Sequence, residues 1–567
     1  MTNKSRTSPR ARYAAVALLA AIALSACGGA GDGYQSSQPV TTSGAPSTPE
    51  PSLPSAPEPS PPKPTNVMTP ACSHCGVVDA DNYAGTGVGV WHGINATADT
   101  VDMPIHISGL KGQDVTLVFT NHTGIARTMP NISLTTSQMP SIVASALRWD
   151  NGTQETKRRI SDFNREGWVA LAGTRGSTPH YSTTSEPTPA AVGDVRTWYH
   201  ADNSERSAIL VRQQAASDGT TINVWVEESE NDATKVHSDI VARLADGFAS
   251  KGKIYDMLKS VGGPLWGPHA YFDVISATGQ PIDIVILNFD HNEKPFGGIG
   301  YFYGRNAIKK AARTNPYSNE SVSLYLDAET LYLGGEVGMR TMLLTMAHEA
   351  VHAQNFYRRG MLMGPKYSFD EWLEEASAMM MDDLASLSID ANYNAIRDVR
   401  FRDYIGYKAG SYNCGLTTWT PFAASCDSYS VSGSLGGFLN RQLGLDFYKN
   451  LLTDTSSNSV AVLDSAIRSV QPESSLGEQL RRFGATSGAL MKSPSPAGFG
   501  FPERQDGPFT LPLIDPQALL PLRTLTQSIP ATLEAYANLP VVRSAVSGAY
   551  SETVKVPAGS TLSVVIQ

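Results

Sequence analysis

The sequence predicts an α+β protein whose later half is mostly helical, with β-rich regions at both ends. Three observations carry this reading. Between Val77 and about Glu230 apolar and polar residues mostly alternate, and Gly, Asn and Asp punctuate the runs, as in half-buried strands. From Asp232 the period changes to helical stretches interleaved with short apolar strands, and from Phe369 to about Arg482 few alternating runs remain. Beyond Phe499 prolines and β-branched residues return.

A chain of 567 residues exceeds one ordinary domain. Its 41% hydrophobic and 17% charged residues exclude a collagen, a coiled coil or a wholly disordered polymer. With Lys+Arg 44 against Asp+Glu 53, and a net charge of −9, there is no global positive field to gather phosphates, so no nucleic-acid partner is expected.

The elements follow in order. Lys4, Arg6, Arg10 and Arg12 precede the apolar run from Ala14 to Leu24, which is too short to span a bilayer. Leu24-Ser25-Ala26-Cys27 resembles the lipobox of a bacterial lipoprotein. Residues 1–26 are then a signal peptide and Cys27 a lipidated first residue. The chain is expected in the bacterial cell envelope, on the periplasmic or cell-surface side, attached to a membrane through that lipid. Residues 27–70 are rich in Pro, Ser and Thr and cannot bury enough surface to offset their ordering entropy, so they read as a tether. Residues 71–230 are expected to form a β-sandwich-like N-terminal domain with strands Val88 to Trp91, Met103 to Ile107, Val115 to Thr120, Ala208 to Gln213 and Thr221 to Val226. Residues 231–365 read as an α+β subdomain, with a helix from His237 to Phe248, strands at Asp283 to Leu287 and Val322 to Asp327, and a long helix from Gly338 to Arg359 ended by Gly360. Residues 366–495 form a helical subdomain, and 496–567 a small β domain with strands Ser551 to Val556 and Thr561 to Ile566.

With Cys27 assigned to lipid, four cysteines remain. Cys72 lies near Cys75 and Cys414 near Cys426, so two local disulfides are the economical reading in an oxidising compartment. Cys72-Ser73-His74-Cys75 also has a metal-binding look, but no second knuckle of similar spacing accompanies it.

The sharpest motif is His348-Glu349-Ala350-Val351-His352. Four residues apart on a helix, the two histidines aim imidazole nitrogens at one Zn²⁺, and Glu349 stands beside them to take a proton from a zinc-bound water. The expected number of chance matches in such a chain is on the order of 0.01. Apolar neighbours bury the helix, where two histidines and a glutamate are costly without a partner. No histidine follows His352, so the third ligand is sought among acids. Ser368 to Glu371 has capping-box spacing and opens a helix through Trp372-Leu373-Glu374-Glu375-Ala376. On the helical wheel Glu375 sits at the edge of the apolar arc and Glu374 points nearly opposite, towards solvent. Glu375 is therefore the third ligand, completing a set for one zinc per chain.

These two segments, with Gly300-Tyr301-Phe302, Ser318-Asn319 and Leu324-Tyr325-Leu326-Asp327, resemble the hyicolysin-type metallopeptidases, a branch of the zincins with a glutamate third ligand. The resemblance spans roughly Val195 to Arg482. It implies a zincin-like catalytic domain and a secreted or surface zinc endopeptidase acting on protein or peptide substrates. The family's W-L-N-E motif puts its final Glu, the ligand, on Glu375; Glu374 replaces the Asn. Related zincins place an acid four residues after the ligand Glu to orient a zinc-bound histidine, where this chain has Met379; Asp382 or Asp383 is left to serve. With no later histidine, a tyrosine is the candidate oxyanion donor, Tyr429 ahead of Tyr407 and Tyr412. The strand from Ser323 to Asp327 is expected at the sheet edge, offering itself to an extended substrate.

Three other readings compete with this one. Ser432-Gly433-Ser434-Leu435-Gly436 lacks the first Gly of a serine-hydrolase elbow and has no His after it. Gly338-Met339-Arg340 does not match the Gly-x-Met-Glu-Asn motif of glutamate-zincin aminopeptidases, which favours internal cleavage. A lipid-tethered binding protein or adhesin with a structural zinc remains the competing class.

Overall fold

A computed structural model describes residues 65–134, 151–180, 189–407, 410–421 and 426–567. The expected signal peptide, the expected lipidation site Cys27 and most of the expected tether lie outside the described residues. The helices and sheets make a mixed α/β protein. Among the described residues no helix is long and apolar enough to cross a membrane.

The site is built on a six-stranded sheet in the order Gly300–Phe302, Val322–Asp327, Ile282–Leu287, Thr221–Glu227, Glu205–Ala215, Val195–Tyr199. Ile282–Leu287 runs parallel to both neighbours and is buried along its whole length, as is Val322–Asp327. Ile282–Leu287 is a near-continuous apolar run broken only by Asp283, as suits a strand covered on both faces. Gly300–Phe302 pairs antiparallel with Val322–Asp327, Tyr301 opposite Tyr325, and forms one edge. Val322–Asp327 is thus an inner strand, and the sheet edge expected there is Gly300–Phe302. A three-residue strand is too short to show a period.

Two strands assigned to an N-terminal β domain, Glu205–Ala215 and Thr221–Glu227, belong to this sheet. The remaining N-terminal strands do not form a unit of their own either. They interleave with the end of the chain in a five-stranded sheet ordered Thr65–Pro70, Gly89–Asn95, Ser560–Ile566, Val101–Asn121, Asn538–Val556. Separate β domains at 71–230 and 496–567 are therefore replaced by one shared sheet, and Thr65–Pro70, read from the sequence as the end of the tether, is one of its strands. Alternation shows that a strand has one buried face, but it does not name the partner. The core of this sheet runs from Met68 to Ile566, whereas a single larger core runs from Trp168 to Ile514 and unites the expected α+β and helical subdomains.

The helix Gly335–Asn355 lies against the sheet, and Glu371–Ile389 packs beside it. Gly360 does not end the first helix. The chain continues as a π-helix, Phe356–Met363, and stops at Gly364, whose φ of 117° suits only glycine. Buried Arg359 holds this extension by donating to the carbonyls of Tyr367, Asp454 and Ser456. The cysteines pair as Cys72–Cys75 and Cys414–Cys426.

The shared sheet yields a prediction. A chain lacking residues 65–134 leaves Ser560–Ile566 without both of its neighbours and exposes long strand edges. Such a chain is expected to lose soluble yield and protease resistance, whereas an independent N-terminal domain would leave both unchanged.

Candidate metal centre

His348 and His352 stand one turn apart on Gly335–Asn355, their rings edge to face with centroids 4.9 Å apart. Glu375 approaches from Glu371–Ile389, with Oε2 3.1 Å from His348 Nε2 and Oε1 3.7 Å from His352 Nε2. The ligand-type atoms of the three all lie within 4.8 Å of one another, and all three side chains are buried. Among the described residues this is the one His/Cys/Asp/Glu group so arranged.

Each imidazole is gripped from behind. His348 Nδ1 faces Asp382 Oδ2 at 3.1 Å, and His352 Nδ1 faces Glu374 Oε1 at 2.8 Å. A carboxylate on Nδ1 selects the tautomer and turns Nε2 towards the common centre. Glu374 is therefore not directed to solvent as the helical wheel indicated. Glu371–Ile389 is buried almost all round from Trp372 to Ser386, so its polar side near the first turn meets the neighbouring helix instead. The Asn355 amide donates to Glu374 Oε2 at 3.1 Å and to Ser377 Oγ at 3.0 Å, steadying that carboxylate. Of the two candidate acids, Asp382 meets the histidine. Asp383 is buried with Arg441 at 2.7 Å and takes an Asn394 amide at 2.7 Å, tying this helix to Ser428–Leu443.

Burial by itself would lower the His348 pKa, but Asp382 and Glu375 outweigh it and drive it well above the usual imidazole value. His352 is likewise raised against its burial, by Glu374 and Glu375. Burial raises Glu375, with the two histidines opposing. The pocket thus attracts positive charge in the place where the nitrogens converge.

Glu349 is fully buried, and its Oε2 accepts the Phe302 N–H at 2.8 Å. Its Oε1 has no hydrogen-bond partner, nor has His352 Nε2. Buried polar atoms left so cost about 1–3 kcal/mol each. Two imidazole nitrogens, one of them the orphaned His352 Nε2, and one carboxylate fit a metal ion, and Glu349 is close enough to act electrostatically on both His352 and Glu375.

Beside this centre lies a cavity of about 40 Å³, lined by His352, Glu374, Glu375 and Asn355 and, across from them, by Asn164 and Arg165. Tyr429 is not among its lining residues. That side chain is buried edge-on against Trp419, with the Arg400 guanidinium 5.3 Å from its ring. Sequence reasoning also missed Asn164, whose only mark is a polar residue near the end of an amphipathic stretch.

Three outcomes are expected. Glu374→Ala and Asp382→Ala weaken zinc binding by about 10–100-fold in competition with a chromophoric chelator. Asp383→Ala instead strands Arg441 and lowers unfolding stability by roughly 3–5 kcal/mol in denaturant titration. Because the raised histidine pKa values keep the metal-free site protonated to higher pH, a metal must displace those protons. Zinc affinity therefore keeps rising with pH above the ordinary imidazole range, and calorimetry in buffers of different ionisation enthalpy detects proton release.

The comparisons with known proteins agree with the motif. Residues 202–567 match the family model described as Peptidase M30. Residues 70–134 match a domain of unknown function. No curated protein matches. Among solved structures the chain is similar to a crystal structure of Legionella pneumophila aminopeptidase A in complex with aspartic acid, at 9% identity and a TM-score of 0.27. That likeness covers 51% of this chain and only 27% of the other, and carries no argument here. The M30 match takes in 65% of the sequence, including both histidines and Glu375, and the chain belongs to this metal-dependent peptidase family.

Proposed function

We propose that the protein is a zinc metalloendopeptidase of the bacterial cell envelope, attached to a membrane through lipid on Cys27. The observation that carries the catalytic part is the convergence of His348 Nε2, His352 Nε2 and the Glu375 carboxylate beside the buried Glu349. Among the described residues only three side chains form the group. A structural zinc site normally closes with four, so the count favours a catalytic one. The two disulfides suit the oxidising side of a membrane.

A zinc ion held by these three residues would supply Lewis acidity for attack on the scissile carbonyl. The chain's own residues do the rest. Asp382 and Glu374 hold the two imidazoles in the tautomer that presents Nε2. The Phe302 N–H fixes one oxygen of Glu349 and leaves Oε1 to receive a proton from the attacking water and pass it to the departing amine. Exclusion of bulk water around this buried carboxylate strengthens each of these charge interactions.

The test uses casein as an unfolded substrate. Glu349→Gln is expected to retain zinc and to lose about 10²–10⁴-fold in cleavage rate. Chelator treatment abolishes cleavage, and added zinc restores it. Full activity in Glu349→Gln would refute the mechanism. Zinc retention by the wild type without cleavage of casein or of a broad peptide library would favour a tethered binding protein with a structural metal.

A further inference from the structure

The cleft beside the candidate centre is already occupied by the chain itself. At the free edge of the six-stranded sheet, Phe302 turns both backbone groups away from its strand partner. Its N–H goes to Glu349, and its carbonyl accepts from Asn164 Nδ2 at 3.0 Å. Two residues on, the Gly304 N–H donates to Asn164 Oδ1 at 2.7 Å. One side-chain amide thus serves as acceptor and donor for the edge, as a peptide group of an added strand would. The adjacent Arg165 lines the same cavity, with its guanidinium 4.0 Å from Asp370 and with Glu371 and Glu374 among the lining residues. A volume of about 40 Å³ has room for a few waters and none for a polypeptide.

These residues close the helix Asn151–Arg165, which is lightly held. Between Gln154 and Arg165 only Lys157 and Ile160 are buried; Ile160 joins the cluster around Tyr301 and Tyr303, and Phe163 leans on Tyr303 at 5.3 Å. Just beyond it the chain is anchored by the fully buried Trp168, packed against Tyr271 and Phe356. A weakly packed helix next to a firm anchor can leave its site at small cost. The helix also lies between the two matched stretches, residues 70–134 and 202–567, and belongs to neither.

We propose that the helix Asn151–Arg165 is an autoinhibitory cap: its Asn164 side chain occupies the edge groups of Phe302 and Gly304, and a peptide substrate reaches the centre only by displacing it. This rests on the peptidase reading above. The substrate class it implies is an extended polypeptide that supplies its own backbone to this edge.

The experiment compares the exported chain with its Asn164→Ala and Asn164→Asp variants, measuring zinc content, casein cleavage and hydrogen exchange of residues 154–165. Asn164→Ala loses both hydrogen bonds, and Asn164→Asp keeps the acceptor for Gly304 but loses the donor to Phe302. With zinc content unchanged, cleavage is expected to rise roughly ten-fold in Asn164→Ala and by less in Asn164→Asp, and exchange of the helix to quicken in both. Unchanged or slower cleavage in both variants overturns the cap; slower cleavage would make Asn164 an aid to substrate binding instead. Should no form cleave casein, the peptidase reading fails, and exchange alone decides the cap. Faster exchange in Asn164→Ala then supports it and unaltered exchange overturns it.

Discussion

Two helices packed side by side force four carboxylates, Glu349, Glu374, Glu375 and Asp382, and two imidazoles into one space, and much of the structure serves that arrangement. His348 lies between Asp382 and Glu375, and His352 between Glu374 and Glu375. A set of charges so far from water is tolerable only when each group has a partner of opposite sign. The surplus of carboxylates makes the space a trap for positive charge, whether protons on the imidazoles or a divalent cation that displaces them. Around it Arg441 neutralises Asp383 and Asn355 braces Glu374, so the ligand helix is held on two sides.

The edge strand Gly300–Phe302 is tied directly to this centre. Phe302 binds the Glu349 carboxylate through its N–H while its carbonyl accepts from Asn164, so this buried carboxylate and the sheet edge are joined through one residue. Any group bound at that carbonyl is automatically placed beside Glu349. One asparagine, Asn164, satisfies the outward-facing backbone groups of Phe302 and Gly304 at that edge.

The histidines and Glu349 were legible because a helix imposes a spacing that chemistry can recognise. Glu375 was legible because the chain lacks later histidines and an apolar arc points inward. Glu374 was misjudged for a physical reason: a wheel assumes one buried face, whereas Glu371–Ile389 is enclosed nearly all round. Asp382 and Asp383 are adjacent in sequence with different fates, one behind a ligand and one in an ion pair with a helix about sixty residues later. The resemblance to the hyicolysin family, carried by the motif and the following Trp-Leu-Glu-Glu segment, agrees with the M30 match.

The sequence by itself determined what local forces decide. Helical period, strand alternation and the spacing of His348, Glu349 and His352 all follow from neighbours within a few turns. Only the tertiary structure decided the pairings between distant segments. Ser560–Ile566 inserts between Gly89–Asn95 and Val101–Asn121, and Asn164 bonds to an edge about 140 residues away. Strand partners and plugged edges are chosen by backbone groups that every residue shares, so the side-chain pattern does not carry their address.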